Sequence, residues 1–412
     1  MESVVAWLAV LRRRESDLGV RQKQASRLRP IPFATRYDLQ QFESANHHTE
    51  RTNPASGDYA RRLISGIGTY PMASAKMKRS MEVDTLRGIA CLLLVFFHAV
   101  GSTPTEGLRI AEGHWLRTFN EFLVYFRMPL FSFISGYVYA FRPYQGNPQG
   151  FVKGKVRRLL LPLLTVGTFY AIVQALTPGA NASVENWWLL HIMPVGHFWF
   201  LEALFIIFLV IILLEHFKAL STVAGFSAVW IASAVLFGLV DFTNYFGARG
   251  AVYLMPFFLA GLACKRFEIV QPSALLLAAA ALVGGLAIVV LFPEQMGKQN
   301  TLAALASVSI GVSAGLLLLR SGWQSRPLAY IGAYSFAIYL LHVFFTAGSR
   351  IFLQRAGIND IYALLVPGAF AGIFGPIVCA QLIGRSETLN LWLLGSTSRV
   401  KTALPTGRQA TA

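Results

Sequence analysis

From about residue 83 almost to the C-terminus, apolar stretches near 20 residues long alternate with short polar breaks. A helix of about 20 residues, rising about 1.5 Å per residue, crosses the roughly 30 Å hydrocarbon core of a bilayer. Lipid offers backbone groups no other partner, so the pattern predicts membrane-spanning helices. Hydropathy places about ten of them, at 83–101, 119–141, 157–176, 198–214, 220–240, 250–264, 273–292, 301–319, 332–349 and 361–384. The fold class expected is an all-α integral membrane protein, a bundle of about ten transmembrane helices. Residues 1–80 are polar, Arg-rich and broken by Pro, and read as a disordered cytoplasmic tail. Met77, just ahead of the first span, offers an alternative start. Residues 81–385 form the transmembrane domain, and 386–412 a short cytoplasmic C-terminal tail.

Composition agrees with this class. Hydrophobic residues make up 55% of the 412 and charged ones 14%, against roughly 25% charged in an ordinary soluble domain. A net charge of +16 would suggest nucleic acid for a soluble protein. Here the excess lies in the N-terminal tail and short loops, where it sets orientation instead, and no nucleic-acid partner is expected. The loops of one side hold ten Lys and Arg and those of the other six, and both tails add more to the richer side. The expected topology is N-in/C-in, multi-pass in the plasma (inner) membrane. The three cysteines, Cys91, Cys264 and Cys379, sit far apart inside apolar spans. They show neither a disulfide framework nor metal-ligand spacing, and no metal site is expected.

Chemistry is carried by polar residues that lipid would not tolerate. Arg87 and His98 are eleven residues apart on the first span, so His98 falls only about 20° off the meridian of Arg87 and about 16 Å along the axis. An ionisable group at that depth faces protein or water and marks function, or else serves as interhelical glue while the Arg snorkels to the headgroups. The second span carries Arg127, Pro129 and Ser135-Gly136. A kinked packing helix explains the Pro and Gly but not the Arg. Lys155 and Arg158 open the third span, as a positive-inside anchor or as a cationic patch suited to phosphates. His197 and Glu202 open the fourth. Ser335, Tyr339 and His342, at i, i+4 and i+7 of the ninth, form a polar stripe that suits helix packing as well as catalysis. No P-loop, dinucleotide fingerprint or Gly-x-Ser-x-Gly elbow is present.

Six runs occur in order along these spans. They are Arg87-x10-His98; Arg127-Met-Pro129-Leu-Phe-x-Phe-x-Ser135-Gly136; the basic pair before Leu-Leu-Leu-Pro162; His197-Phe-Trp199-Phe-Leu; Pro256-Phe-Phe-x-x-Gly261; and Ser335-Phe-x-Ile-Tyr339-Leu-Leu-His342. In this the chain resembles the membrane acyltransferase-3 family, integral-membrane enzymes that O-acylate surface polysaccharides and related glycans, over about residues 80 to 385. The family's third span usually begins Arg-x-x-Arg. The pair here is Lys155 and Arg158, and Lys lacks the two-pronged guanidinium geometry.

The resemblance implies an acyl-CoA-dependent O-acyltransferase. Its donor, most simply acetyl-CoA, is cytoplasmic, its acceptor is a glycan or lipid-linked glycan at or beyond the outer face, and no bound cofactor is required. Imidazole suits base catalysis near neutral pH. His98 is thus expected to deprotonate the acceptor hydroxyl or to carry the acyl group, alternatives the sequence leaves open. Arg87 is expected to attract donor phosphates or the thioester carbonyl, Arg127 to stabilise an oxyanion, and Lys155 and Arg158 to bind donor. His197, Glu202, Ser335, Tyr339 and His342 are secondary candidates. Two other classes use the same buried charges: a transporter or flippase for a lipid-linked saccharide, and a non-catalytic subunit of a polysaccharide assembly complex.

Overall fold

A computed structural model describes residues 80–178, 180, 186–295 and 300–397. The segment read above as an N-terminal tail lies, except for Ser80, outside the described residues, as does everything beyond residue 397. In chain order the main helices are α1 (Met81–Val100), α2 (Trp115–Tyr139), α3 (Pro148–Leu176), α4 (Trp199–His216), α5 (Val223–Leu239) and α6 (Ala248–Arg266). They continue with α7 (Pro272–Leu291), α8 (Thr301–Arg320), α9 (Arg326–Ala333), α10 (Ser335–Arg355), α11 (Ile361–Ile383) and α12 (Glu387–Leu394). No β-strand occurs among the described residues, and nine helices, all but α5, α9 and α12, are long and apolar enough to cross a membrane. The protein is an all-α, multi-pass membrane bundle.

α5 is the tenth apolar helix. Its 17 residues reach about 26 Å, slightly less than the hydrocarbon thickness. It nevertheless runs antiparallel to α6, with Phe226 against Phe267 near one end and Phe237 against Tyr253 near the other. Between them Trp230 donates to the Pro256 carbonyl at 3.0 Å.

Several boundaries differ from the hydropathy reading for identifiable reasons. α2 begins at Trp115 rather than 119, because its first segment, Trp115–Phe122, is amphipathic and joins Val124–Tyr139 at Leu123. α3 begins at Pro148, since helix continues through its basic turn with Asn147 as the cap. It also contains two wide π-helical turns, Val156–Leu160 and Leu163–Gly167, on either side of Pro162. The ninth apolar stretch divides at Tyr334 into α9 and α10. α10 runs on to Arg355, so Arg350, just beyond the expected span end at 349, is helical. α12 has too few residues to register as a span. Its carbonyl at Trp392 accepts from Thr165 of α3 at 2.7 Å, and Gly395 just beyond packs on the α3 backbone at Arg157 and Arg158.

Close backbone crossings fix the bundle. A Cβ on Gly136 would strike the Phe258 carbonyl, and one on Gly261 the Phe133 carbonyl, so α2 and α6 cross at a reciprocal pair of glycines. Ser132 of α2 adds a buried hydrogen bond to the Leu254 carbonyl of α6 at 2.9 Å. Gly88 and Gly332 make a second such crossing between α1 and α9. Association in lipid lacks a hydrophobic drive and depends on close contacts of this kind.

Candidate active site

Three histidines from distant parts of the chain converge. His98 lies near the C-terminal end of α1, His197 in the single turn Gly196–Phe198 before α4, and His342 in α10. Ring centroids are 4.8 Å apart for His98 and His342, 4.8 Å for His197 and His342, and 5.6 Å for His98 and His197. Gly196 takes a left-handed φ of 49°, which turns the chain sharply into α4. A Cβ there would also meet the Tyr170 ring at 2.9 Å. The Tyr339 hydroxyl donates to the His197 carbonyl and fixes that turn to α10.

His342 is fully buried, and its Nδ1 lies 2.8 Å from the Ile338 carbonyl and 2.9 Å from that of Tyr339. Carbonyls only accept, so Nδ1 carries the proton and Nε2 is the lone-pair nitrogen. Nε2 is buried without a hydrogen-bond partner among the described residues. A neutral imidazole of fixed tautomer thus stands beside His98.

A cavity of about 360 Å³ opens at the His98 end of α1, lined by His98, His197, Arg127, Tyr170, Tyr339 and Arg350 among others. His342 lies behind this wall rather than in it. Arg127 is 7% exposed, and its Cζ sits 3.4 Å from the Phe97 ring centroid, immediately before His98 in sequence. A desolvated cation–π contact of this kind contributes about 2 kcal/mol. Arg127 Nη1 donates to the Asn120 carbonyl at 3.4 Å, while Asn120 Nδ2 donates to the Gly101 carbonyl at 2.9 Å and so ties α2 to the end of α1. No acidic side chain pairs with Arg127 among the described residues. The cavity therefore presents a nitrogen base and a cation without an ion-pair partner among the described residues, the pair needed to take a proton and to stabilise a developing oxyanion. Among the described residues no group of three His, Cys, Asp or Glu side chains could hold a metal ion.

The other sequence candidates lie elsewhere. Arg87 does not line the cavity. It is at the opposite end of α1, paired with Asp84 at 2.9 Å. Arg158, exposed on the first π turn of α3, is within electrostatic range of Arg87 and Arg157. Lys155 is folded into aromatic surroundings, with Nζ 3.4 Å from the Phe208 centroid and 4.9 Å from that of Phe151. These three make a separate basic group. Glu202 is 4% exposed with neither oxygen hydrogen-bonded among the described residues, and it is packed under Gly247 away from the cavity wall. Ser335 begins α10 at the basic end and does not reach the cavity.

The stripe on α10 does continue, in the opposite direction. Tyr339, Thr346 and Arg350 all line the cavity, and with His342 they fall at helical spacings of 3, 4 and 4 along one face. Arg350, Thr346 and Tyr170 are among the cavity residues that the sequence pattern did not mark. The stripe spacing was enough to find Arg350. Nothing local distinguishes Tyr170 from an interfacial aromatic.

Fold and site together define a multi-pass membrane protein with a histidine–arginine cavity inside its helical bundle. The acyltransferase-3 family, described as an acyltransferase domain, matches residues 82–385, and the chain belongs to it. A Bacillus subtilis protein named as a membrane-bound acyltransferase, YfiQ, is 24% identical over 340 residues, covering 74% of this chain and 91% of its own length. The nodulation protein NolL of Mesorhizobium japonicum is 28% identical over 178 residues, 43% of this chain and 44% of that protein. Glucans biosynthesis protein C of Salmonella typhi is 29% identical over 150 residues, 33% of this chain and 39% of that protein. The chain thus matches less than half the length of the last two relatives. No solved structure matches it.

Proposed function

We propose that this membrane acyltransferase moves an acyl group, most simply acetyl, from acyl-CoA on the cytoplasmic side to a hydroxyl of a cell-surface glycan such as exopolysaccharide or O-antigen. It acts from within the cell (inner) membrane. The observation that carries the reading is His98 facing the cavity, with the Nε2 of His342 behind it and Arg127 held beside it on Phe97. In the base mechanism His98 accepts the proton of the acceptor hydroxyl as its oxygen attacks the thioester carbonyl carbon. Arg127 stabilises the resulting oxyanion. The C–S bond then breaks, and the thiolate leaves with the proton held by His98, giving the ester and free coenzyme A. Arg158 and Arg87, at the other end of the bundle, supply cations suited to donor phosphates. A glycan acceptor is supported by the name of one relative, a glucans biosynthesis protein.

The test is to quantify ester groups on surface glycans from cells with the gene deleted, then restored. The proposal expects one ester class to disappear and return. Unchanged esters in every glycan fraction would refute it.

A further inference from the structure

A second cavity, of about 320 Å³, opens at the same end of the bundle among α2, α4, α5, α6 and α8, and Trp199 lines it as well as the first. We infer that this second cavity is a subsite for an uncharged sugar residue neighbouring the one that is acylated; the inference rests on the glycan acceptor proposed above.

The two cavities share one aromatic wall. Trp199 is seated by Gly250, where a Cβ would lie 2.5 Å from the indole Cε3. Tyr253 and Phe237 add further aromatic surface, and their rings lie 5.1 Å apart. Flat aromatic faces cover the C–H face of a pyranose, and a few placed polar groups then read its hydroxyls. Those polar groups are present. The Asn244 Oδ1 is buried with no hydrogen-bond partner among the described residues, and Asn244 caps no helix through its side chain. Ser307, 5% exposed, lies on the α8 wall.

The unmet amide decides between a sugar and a lipid tail. A hydroxyl both donates and accepts, so it satisfies Asn244 whichever way the amide is set, whereas an acyl chain can do neither. Charge decides between neutral and acidic sugars. Arg249, also on this wall, is paired with Asp241 at 3.4 Å, so its charge is already offset. The volume is at the lower end of small-molecule sites, about 300–1,000 Å³, which suits a single ring. An acceptor bridging both cavities is at least two sugars long. The enzyme then prefers oligomeric glycan to free monosaccharide.

The probes are the alkali-treated, de-esterified surface glycan of the producing strain, used as fragments of several residues and as its monosaccharide hydrolysate. Purified full-length protein is assayed with acetyl-CoA. Wild type should show a lower KM for fragments than for monosaccharides. Asn244→Ala should raise the fragment KM about five- to tenfold, the scale of one lost hydrogen bond. Ala304→Trp, which fills the cavity from α8, should raise it at least as much. Both should leave kcat, monosaccharide KM and acceptor-independent hydrolysis of acetyl-CoA unchanged. A wild-type fragment KM in both variants, or equal KM for fragments and monosaccharides in wild type, overturns the subsite while leaving glycan acylation in place. Acylation of neither probe removes the glycan reading, and this inference with it.

Discussion

Replacing His342 with Phe keeps the volume and ring shape of a fully buried side chain and deletes both nitrogens. Two consequences are separable. The Nδ1 contacts to the Ile338 and Tyr339 carbonyls are lost, but those carbonyls lie within α10, where backbone bonding continues, so the fold should survive. The lone-pair Nε2 beside His98, with ring centroids 4.8 Å apart, is lost as well. In the proposed mechanism His98 becomes cationic as it takes the acceptor proton. Its second N–H then has an unpartnered buried acceptor beside it, the Nε2 of His342, and a hydrogen bond formed at that stage stabilises the cation. Hydrogen bonds to charged groups contribute about 1.5–3 kcal/mol, which at about 1.4 kcal/mol per tenfold gives a loss of about 10- to 150-fold in kcat. His342→Phe should therefore lower kcat by that factor with the KM for acyl-CoA unchanged and thermal stability within a few degrees of wild type. The assay is initial-rate acyl transfer by purified variants across a donor titration. A wild-type kcat in His342→Phe refutes a role for Nε2, and reduces His342 to the packing role open to it on sequence grounds.

Three further outcomes follow from the geometry. Gly136→Ala places a Cβ on the Phe258 carbonyl and should cost about 1–3 kcal/mol as an overpacked crossing, measured as a lower melting temperature in detergent; an unchanged melting temperature contradicts the α2–α6 contact. Arg158→Ala should raise the KM for acyl-CoA more than it lowers kcat, whereas Lys155→Ala, which loses its seat on Phe208, should mainly lower stability and Lys155→Arg should be tolerated; equal donor KM effects at both positions would contradict this division. His191, in the stretch between α3 and α4, contacts the Thr168 hydroxyl at 2.8 Å, and burial pushes it below the usual histidine value of 6.5, so the unfolded stretch binds more protons in acid; its packing should hold above about pH 6.5 and weaken as pH falls below it, seen as a fall in the protection of amides at 186–195, relative to their intrinsic exchange rates at each pH, that His191→Asn should abolish.

Hydropathy revealed nearly all of the fold, because lipid imposes a length and a composition on each crossing helix. It was blind to α12 and to the amphipathic start of α2, which are too short or too polar to register. It could not find the π turns of α3, since no residue pattern in the Val156–Leu160 and Leu163–Gly167 segments specifies a wider turn. At the site, helical spacing correctly put Arg87 and His98 on one helix. It could not show that Asp84, one turn earlier, engages Arg87, nor that Arg127 shares the cavity with His98 and is held on Phe97. The meeting of His98, His197 and His342 is a contact across roughly 100 to 250 residues of chain. No local periodicity encodes such a contact. Each of the three was noticed separately as a polar residue that lipid would not tolerate.

Whether His98 performs acyl transfer is measured most directly as transfer of labelled acetyl from acetyl-CoA to de-esterified surface glycan by purified His98→Ala and His98→Gln, at abundance and melting temperature matched to wild type. Both should lose at least the 10²–10⁴-fold typical of a missing general base, with Gln no better than Ala because an amide cannot take the proton. Substantial transfer by His98→Ala would contradict that role and move the chemistry to His197, the other histidine lining the cavity.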